Sequence, residues 1–225
     1  LLLATCNDAR PNASPQDAWI QKEKPLTHLS IFTVGSRGDV QPYLALARGL
    51  QEKGHTVTLA THPAMQGLVD SHGIRFAPIG PDIDIGKVAA DIRGRSRHWI
   101  LGFIRTMQFT VSIIKQASPD ILALCEAADG VVVSHSFAGA AEADKLGKPT
   151  ISVPLQHQAI PTPDPAAPLV QRAMRGLAGR VMGLMMVRPY NRLRRQIGAP
   201  QVEDVEAMMS PRLNLIPISP SVVPP

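Results

Sequence analysis

The sequence predicts an α/β fold, a Rossmann-like parallel sheet with helices on both faces. From residue 28 onward, short β-branched or apolar runs alternate with amphipathic helical segments across short connections. This alternation is typical of successive β-α-β units with right-handed crossovers. Residues 130–134, GVVVS, form an almost wholly apolar run, as expected of a strand buried on both faces of a parallel sheet.

The first half of the domain is regular. Strands are predicted at residues 28–34, 55–61 and 74–79. Between them, residues 40–50 carry apolar side chains at helical spacing, and residues 63–72 predict a shorter helix. Gly54 and Gly73 follow these helices as C-terminal caps.

The second half is less regular. Residues 80–97 predict a loop with a short helix, and residues 98–128 are mostly helical, with Pro119 predicting a break into two helices. Residues 156–168 are proline-rich and predict a long loop. Further helices are predicted at 137–146, 169–197 and 202–209, and further strands at 130–134, 150–155 and 213–218.

The chain divides into a leader, one domain and an exit linker. Residues 1–26 are rich in Asn, Asp, Pro and Ser and show no sustained period, which predicts a flexible leader with at most a stray strand in its opening LLLAT. Residues 27–218 form the domain. Residues 219–225, SPSVVPP, predict the start of a linker to a further domain.

Composition excludes several classes of function. The 44% hydrophobic and 18% charged residues describe a soluble globular protein. Aromatic residues are 4% of the chain, too few for base-stacking platforms, so no nucleic-acid partner is expected. The longest apolar run is far shorter than the roughly 20 residues of a membrane span. The two cysteines lack metal-type spacing, which predicts no metal site and a reduced, cytoplasmic location.

The loop GSRGDVQP at residues 35–42 follows the first predicted strand and is the most informative stretch. Gly35 and Gly38 let the backbone turn and approach a ligand closely. A hydroxyl, a cation and a carboxylate lie at the carboxyl end of the strand, where α/β sheets bind ligands: Ser36, Arg37 and Asp39. The loop is not a Walker loop. It also lacks the spacing G-x-G-x-x-G, and no acidic residue ends the second strand, which together argue against a nucleotide-dependent oxidoreductase.

Asp39 has two interpretations from the residues alone. It caps the following helix by accepting backbone N–H bonds, or it is a general base beside an open cleft. Ser36, the loop amides and the helix N-terminus also suit an anion.

The same loop, together with LALA at residues 44–47, resembles the opening motif of sterol glucosyltransferases and of the glycosyltransferases that decorate glycopeptide antibiotics. The resemblance covers about residues 28–225. Further stretches that resemble this family are GHTVTLAT at 54–61, GIRFAPIG at 73–80, ADKLGKP at 143–149 and GAP at 198–200.

The resemblance implies the acceptor-binding lobe of a two-lobed, inverting, metal-independent glycosyltransferase. Such an enzyme moves a hexose from a UDP- or dTDP-sugar to a hydroxyl of a lipophilic acceptor, such as a sterol, a lipid or a natural product, without a further cofactor. Asp39 matches the base, and Gly35, Ser36 and Arg37 match residues that face the donor diphosphate. The family's donor lobe is absent from this sequence. A non-catalytic small-molecule-binding module of the same fold is the alternative.

Residues in the loops after the strands are candidate acceptor contacts, because parallel strands bring their carboxyl ends to one edge of the sheet. These candidates are Gly38, His62, His135, Ser136, Gln156 and His157. A strand-end histidine is alternatively a hydrogen-bonded structural residue, and spacing does not show whether His135 contacts Asp39.

Two helical segments also have two interpretations each. The helix at 169–197 carries arginines among an apolar stripe. It either packs on the sheet with solvated arginines or forms a basic surface for peripheral contact with anionic lipid. The apolar residues of 98–117 either line an acceptor pocket or belong to the core.

Overall fold

The computed structural model describes residues 3–6, 27–155, 168, 170, 185 and 187–217. The strands are β1 (Leu3–Cys6), β2 (His28–Phe32), β3 (Thr56–Thr61), β4 (Arg75–Pro78), β5 (Gly130–Ser134), β6 (Thr150–Val153) and β7 (Leu213–Ile216). The helices are α1 (Arg37–Glu52), α2 (Gln66–Asp70), α3 (Ile85–Gly94), α4 (Trp99–Glu126), α5 (Ala140–Leu146) and α6 (187–197), with 3₁₀ turns at Pro63–Met65 and Glu206–Met208.

The strands form one seven-stranded sheet in the order β1-β7-β6-β5-β2-β3-β4. All neighbouring pairs are parallel except β1 with β7, which is antiparallel. The predicted α/β class with a parallel sheet is therefore confirmed. β2 lies between β3 and β5, so the loop that follows β2 is flanked by the ends of two other strands.

Two apolar clusters cover the two faces of the sheet. Ile31 belongs to one cluster and its neighbour Phe32 to the other, because successive side chains of a strand point to opposite faces. The first cluster includes Val40 and Leu44 of α1. The second cluster packs residues of α4, α5 and α6 against the sheet.

β1 extends the sheet from a segment that the sequence analysis assigned to the leader. Leu3–Cys6 pairs with residues Leu213–Ile216 of β7. The stray strand considered there is thus an edge strand. The remainder of 1–26, most of the loop at 156–168 and the linker at 219–225 lie outside the described residues.

The expected break at Pro119 is wrong, because α4 continues as one helix through this proline. A proline inside a helix removes one backbone hydrogen bond and tends to kink it. Ala117 and Ile121, on either side of Pro119, are both fully buried in the same cluster, and this shared packing holds the two parts of the helix together.

The predicted helices at 137–146 and 202–209 are shorter in the structure. α5 begins only at Ala140, because Phe137 and Gly139 have positive φ angles of 58° and 89° and cannot be helical. In the second segment, only the 3₁₀ turn Glu206–Met208 is formed.

Of the predicted helix at 169–197, the structure describes α6 and the single residues 170 and 185. One interpretation of the sequence places the arginines of this helix in solvent. Arg194 is instead buried, with 1% of its surface exposed. Its guanidinium pairs with Asp144 of α5, donates to the Pro200 carbonyl and lies 5.8 Å from the centre of the Tyr190 ring. Three other arginines of α6 are exposed: Arg188, Arg192 and Arg195. Among the helices in the described ranges, none is both long and apolar enough to cross a membrane.

Gly139 and Gly147 flank α5 and allow a controlled test of its packing. Both have positive φ, but a Cβ at Gly139 would lie 2.5 Å from Cδ2 of Phe32, whereas a Cβ at Gly147 would meet nothing within 4 Å. We expect Gly139→Ala to lower the free energy of unfolding by roughly 1–3 kcal/mol more than Gly147→Ala does. Urea unfolding of both variants measures the difference. Equal losses would show that backbone strain, not the contact with Phe32, requires glycine at position 139.

Candidate functional site

The turn between β2 and α1 is organised by Ser36 and Asp39. Ser36 is the N-cap of α1 and Asp39 lies in its first turn. The backbone N–H and the hydroxyl of Ser36 donate to Oδ2 of Asp39, at 2.7 and 2.8 Å. A carboxylate in this position satisfies an otherwise unpaired donor and interacts favourably with the helix dipole. Capping is thus part of the role of Asp39, although Ser36, and not Asp39, is the cap.

Gly35 provides the space for this arrangement. A Cβ at Gly35 would lie 2.5 Å from Oδ2 of Asp39, closer than two such atoms can approach. At Gly38, a Cβ would lie 3.8 Å from the Ser36 hydroxyl, an ordinary contact. Close approach of the carboxylate therefore requires glycine at position 35 but not at position 38.

His135 follows β5 and faces Asp39. Because β5 is the parallel neighbour of β2, the residues after both strands meet at one edge of the sheet. Nε2 of His135 lies 3.6 Å from Oδ1 of Asp39, with the two side chains 33% and 36% exposed. The contact that spacing left open is thus present. Tyr43 supports it, since its hydroxyl accepts the His135 backbone N–H at 3.3 Å and donates to the Val153 carbonyl at 2.7 Å.

Opposing effects act on the charge of His135. Burial lowers the pKa of its imidazole, and the nearby carboxylate of Asp39 acts in the opposite direction. Nδ1 is buried and has no hydrogen-bond partner among the described residues. We assign the proton of the neutral ring to Nε2, which faces the carboxylate.

A cavity of about 460 Å³ opens beside this pair. Polar groups of its wall come from the loop after β2, the turn after β5, α3 and α4: Ser36, Asp39, His135, Ser136, Arg93, Thr106, Gln108 and Thr110. Apolar groups come from the same two turns, from α3 and α4 and from the region around α6, and include Val34, Ile85, Met107, Val111, Phe137 and Tyr190. A concave cavity of this size that combines apolar and polar side chains is typical of ligand pockets.

Residues 98–117 contribute both to the cavity and to the core. Met107 and Val111 line the cavity, whereas Ile113 is buried in the core and Phe109 packs against it. α4 therefore contributes one face to the cavity and another to the core.

The turn after His135 is strained and held by hydrogen bonds. Phe137 has φ 58°, a conformation that is uncommon for a bulky residue. Its carbonyl accepts the Tyr190 hydroxyl at 2.7 Å, and the hydroxyls of Ser134 and Ser136 lie 2.8 Å apart. Tyr43 and Tyr190 occupy ordinary apolar positions of helices and carry no motif, so the sequence alone does not identify them as part of this site.

The other predicted site residues have different positions. His62 is 0% exposed, bonds the Gly35 carbonyl through Nε2 at 2.9 Å and does not line the cavity. Direct acceptor contact is therefore wrong for His62, because its ring is enclosed by protein. Arg37 and Gly38 are exposed and lie outside the cavity wall. Gln156 and His157 lie outside the described residues.

Within the described part of the chain, no group of three His, Cys, Asp or Glu side chains could hold a metal ion.

Known proteins are similar to this chain in sequence or in fold. Residues 29–151 match the glycosyltransferase family 28 N-terminal domain. A sterol 3-beta-glucosyltransferase of Sclerotinia sclerotiorum is 39% identical over 98 residues, which are 42% of this chain and 6% of that protein. A sterol 3-beta-glucosyltransferase of Arabidopsis thaliana is 50% identical over 58 residues, which are 26% of this chain and 9% of that protein.

A solved structure shows the same architecture. The crystal structure of a glycosyltransferase of Streptomyces sp. SF2575 complexed with thymidine diphosphate aligns with a TM-score of 0.55 at 21% identity, over 79% of this chain and 47% of that one. The fold is therefore the Rossmann-like lobe of a glycosyltransferase. With a family match over more than half of its length, the chain belongs to the glycosyltransferase family 28 N-terminal domains. It spans about half of the solved relative and a small part of the two curated ones.

The electrostatic contact between Asp39 and His135 is directly testable. The Asp39 charge raises the pKa of His135 against the effect of burial, so Asp39→Asn should make His135 titrate at lower pH than in the wild type. NMR titration of the ring protons measures this shift. Asp70→Asn, at the exposed end of α2, should leave the titration of His135 unchanged. An unchanged His135 titration in Asp39→Asn would show that the two side chains do not interact in solution.

The two glycines of the loop should respond in opposite directions to alanine. Gly35→Ala should displace the Asp39 carboxylate from Ser36 and lower the free energy of unfolding by about 1 kcal/mol or more, since the α1 cap is lost. Gly38→Ala should keep or raise stability, because alanine favours the first helical turn. Urea unfolding compares them, and equal effects would contradict the close packing around Gly35.

Proposed function

We propose that this domain binds the acceptor of an inverting, metal-independent glycosyltransferase and that Asp39 is its general base. One observation carries the proposal: Asp39 lines the cavity with Oδ1 beside Nε2 of His135, while Oδ2 is held by two hydrogen bonds from Ser36. The carboxylate is thereby fixed with one oxygen directed toward the place where an acceptor hydroxyl would lie. A general base needs this kind of positioning before its proton affinity matters.

The two oxygens of the Asp39 carboxylate have different roles in the proposed reaction. The acceptor hydroxyl gives its proton to Oδ1 of Asp39 as its oxygen bonds to the anomeric carbon of the donor sugar. The bond from that carbon to the diphosphate oxygen breaks, and the nucleoside diphosphate leaves with the electron pair. Attack opposite the leaving group inverts the anomeric centre. Oδ2 keeps its hydrogen bonds to Ser36 throughout, so the carboxylate does not rotate.

His135 supports the base as a neutral group. Because burial lowers its pKa, the imidazole is uncharged near neutral pH and does not neutralise Asp39 as a permanent ion pair would. Its Nε2–H faces Oδ1 at 3.6 Å, and both residues line the cavity in which the acceptor oxygen would lie.

The cavity suits a lipophilic acceptor with a hydroxyl. Apolar side chains of α3, α4 and the turns after β2 and β5 line its wall, and Asp39 and His135 lie at the same cavity. A sterol, lipid or apolar natural product would place its reacting hydroxyl beside Asp39. The names of the sterol 3-beta-glucosyltransferases that resemble this chain support a sterol.

The donor is a UDP- or dTDP-sugar bound by a second lobe. The relative solved with thymidine diphosphate supports a nucleoside diphosphate as the leaving group. Ser36 and Arg37 are exposed next to Asp39, where they would face the diphosphate. Arg37 and the α1 N-terminus would offset its charge without a metal ion.

Transfer of labelled glucose from UDP-glucose and dTDP-glucose to a sterol panel tests the proposal, with this chain joined to a donor lobe of its family. Asp39→Asn should lower kcat by about 10²–10⁴-fold, since general base catalysis contributes this much. Asp70→Asn should retain full activity, and EDTA should have no effect. Undiminished transfer by Asp39→Asn would overturn the assignment of the base. Saturable sterol binding without any transfer would favour a non-catalytic binding module.

A further inference from the structure

His62 reaches the turn between β2 and α1 from the neighbouring strand. It follows β3, which pairs in parallel with β2, so both strands end at the same edge of the sheet. The side chain is 0% exposed, and its Nε2 lies 2.9 Å from the Gly35 carbonyl oxygen. A carbonyl oxygen only accepts hydrogen bonds, so Nε2 carries the proton and donates it.

The Gly35 carbonyl belongs to the same peptide unit as the Ser36 N–H. This unit is planar, and its C=O and N–H point in opposite directions. The Ser36 N–H donates to Oδ2 of Asp39 at 2.7 Å. A continuous series of hydrogen bonds therefore runs from the His62 ring through one peptide unit to the Asp39 carboxylate. A peptide whose carbonyl accepts a hydrogen bond is polarised and donates more strongly through its N–H.

We infer that His62 is a positioning residue for Asp39, acting through the Gly35–Ser36 peptide. This inference rests on the proposed function, because it concerns the residue assigned there as the base. His62 fixes the orientation of the peptide, the peptide fixes Oδ2, and Oδ1 is thereby directed toward His135 and the cavity. The Thr33 hydroxyl supports the same turn by donating to the Asp39 carbonyl at 3.2 Å.

The other ring nitrogen argues against a role in stability alone. Nδ1 of His62 is buried and has no hydrogen-bond partner among the described residues. A buried polar atom without a partner is unfavourable, and an apolar side chain of similar size would avoid that penalty. The hydrogen bond to Gly35 is the one contact of this ring, within the described residues, that an apolar side chain could not replace.

NMR of the 225-residue chain tests the hydrogen-bonded series without requiring activity. The Ser36 amide proton should resonate downfield, because it is hydrogen-bonded to a carboxylate and because the hydrogen bond from His62 polarises its peptide. His62→Met removes the donor and keeps an apolar side chain, so this resonance should move upfield. His62→Gln places an amide N–H near the former Nε2 position and should restore it. His62→Asn, whose shorter amide does not reach Gly35, should behave like His62→Met and provides a second variant if methionine prevents folding.

His28 offers a matched control. It also bonds through its ring, to the Ala127 carbonyl and the Thr58 hydroxyl, but at the beginning of β2 and far along the sheet from the loop. His28→Met should change stability and leave the Ser36 resonance in place. A Ser36 resonance that does not move in a folded His62→Met or His62→Asn variant overturns the inference. Failure of His62→Gln to restore it overturns it as well.

Kinetics with the donor lobe joined to the chain provide the second readout. His62→Met should lower kcat roughly ten- to a hundredfold, as small misplacements of a catalytic group do, and leave KM for the acceptor near the wild-type value. His62→Gln should recover most of the loss, and His28→Met should keep the wild-type kcat. A rise in KM at constant kcat would contradict a positioning role. If no variant of Asp39 affects transfer, the proposed function fails, while the NMR result still decides whether His62 orients the carboxylate.

Discussion

The hydrogen bonds between Ser36 and the Asp39 carboxylate set the geometry of the whole site. They form the capping box at the start of α1 and hold Oδ2, while Oδ1 lies beside His135 and Asp39 lines the cavity. The arrangement depends on Gly35, because any side chain there would occupy the position of the carboxylate. A capping arrangement at the start of a helix therefore also orients a carboxylate beside the cavity.

The parallel sheet brings the supporting residues to this carboxylate from other strands. β2 lies between β3 and β5, so His62 and His135 approach the loop from opposite sides. Although both histidines follow strands, they differ in environment. His62 is enclosed and bonds the backbone, whereas His135 borders the cavity and faces the carboxylate directly. The strand order therefore places His62 inside the protein beside the loop and His135 at the cavity.

Periodicity predicted the parallel strands β2 to β7 and most helices to within a few residues, because each buries a regular face. The errors arose where tertiary contacts overrode a local preference. Packing on both sides of Pro119 keeps α4 continuous despite the proline. Arg194 is enclosed by Asp144 and the Tyr190 ring, although an arginine in an amphipathic helix is expected to lie in solvent. A local pattern contains no information on such distant partners.

The sequence by itself determined the fold class, the family and the importance of the loop at residues 35–42. These follow from local patterns of glycine, charge and hydrophobicity, which are visible in the sequence without knowledge of distant contacts. Only the tertiary structure decided that Asp39 contacts His135, that His62 holds the peptide beside it, and that α3 and α4 form a cavity there. These contacts join residues far apart in the chain, and their distances depend on strand order and helix packing, which no single segment encodes.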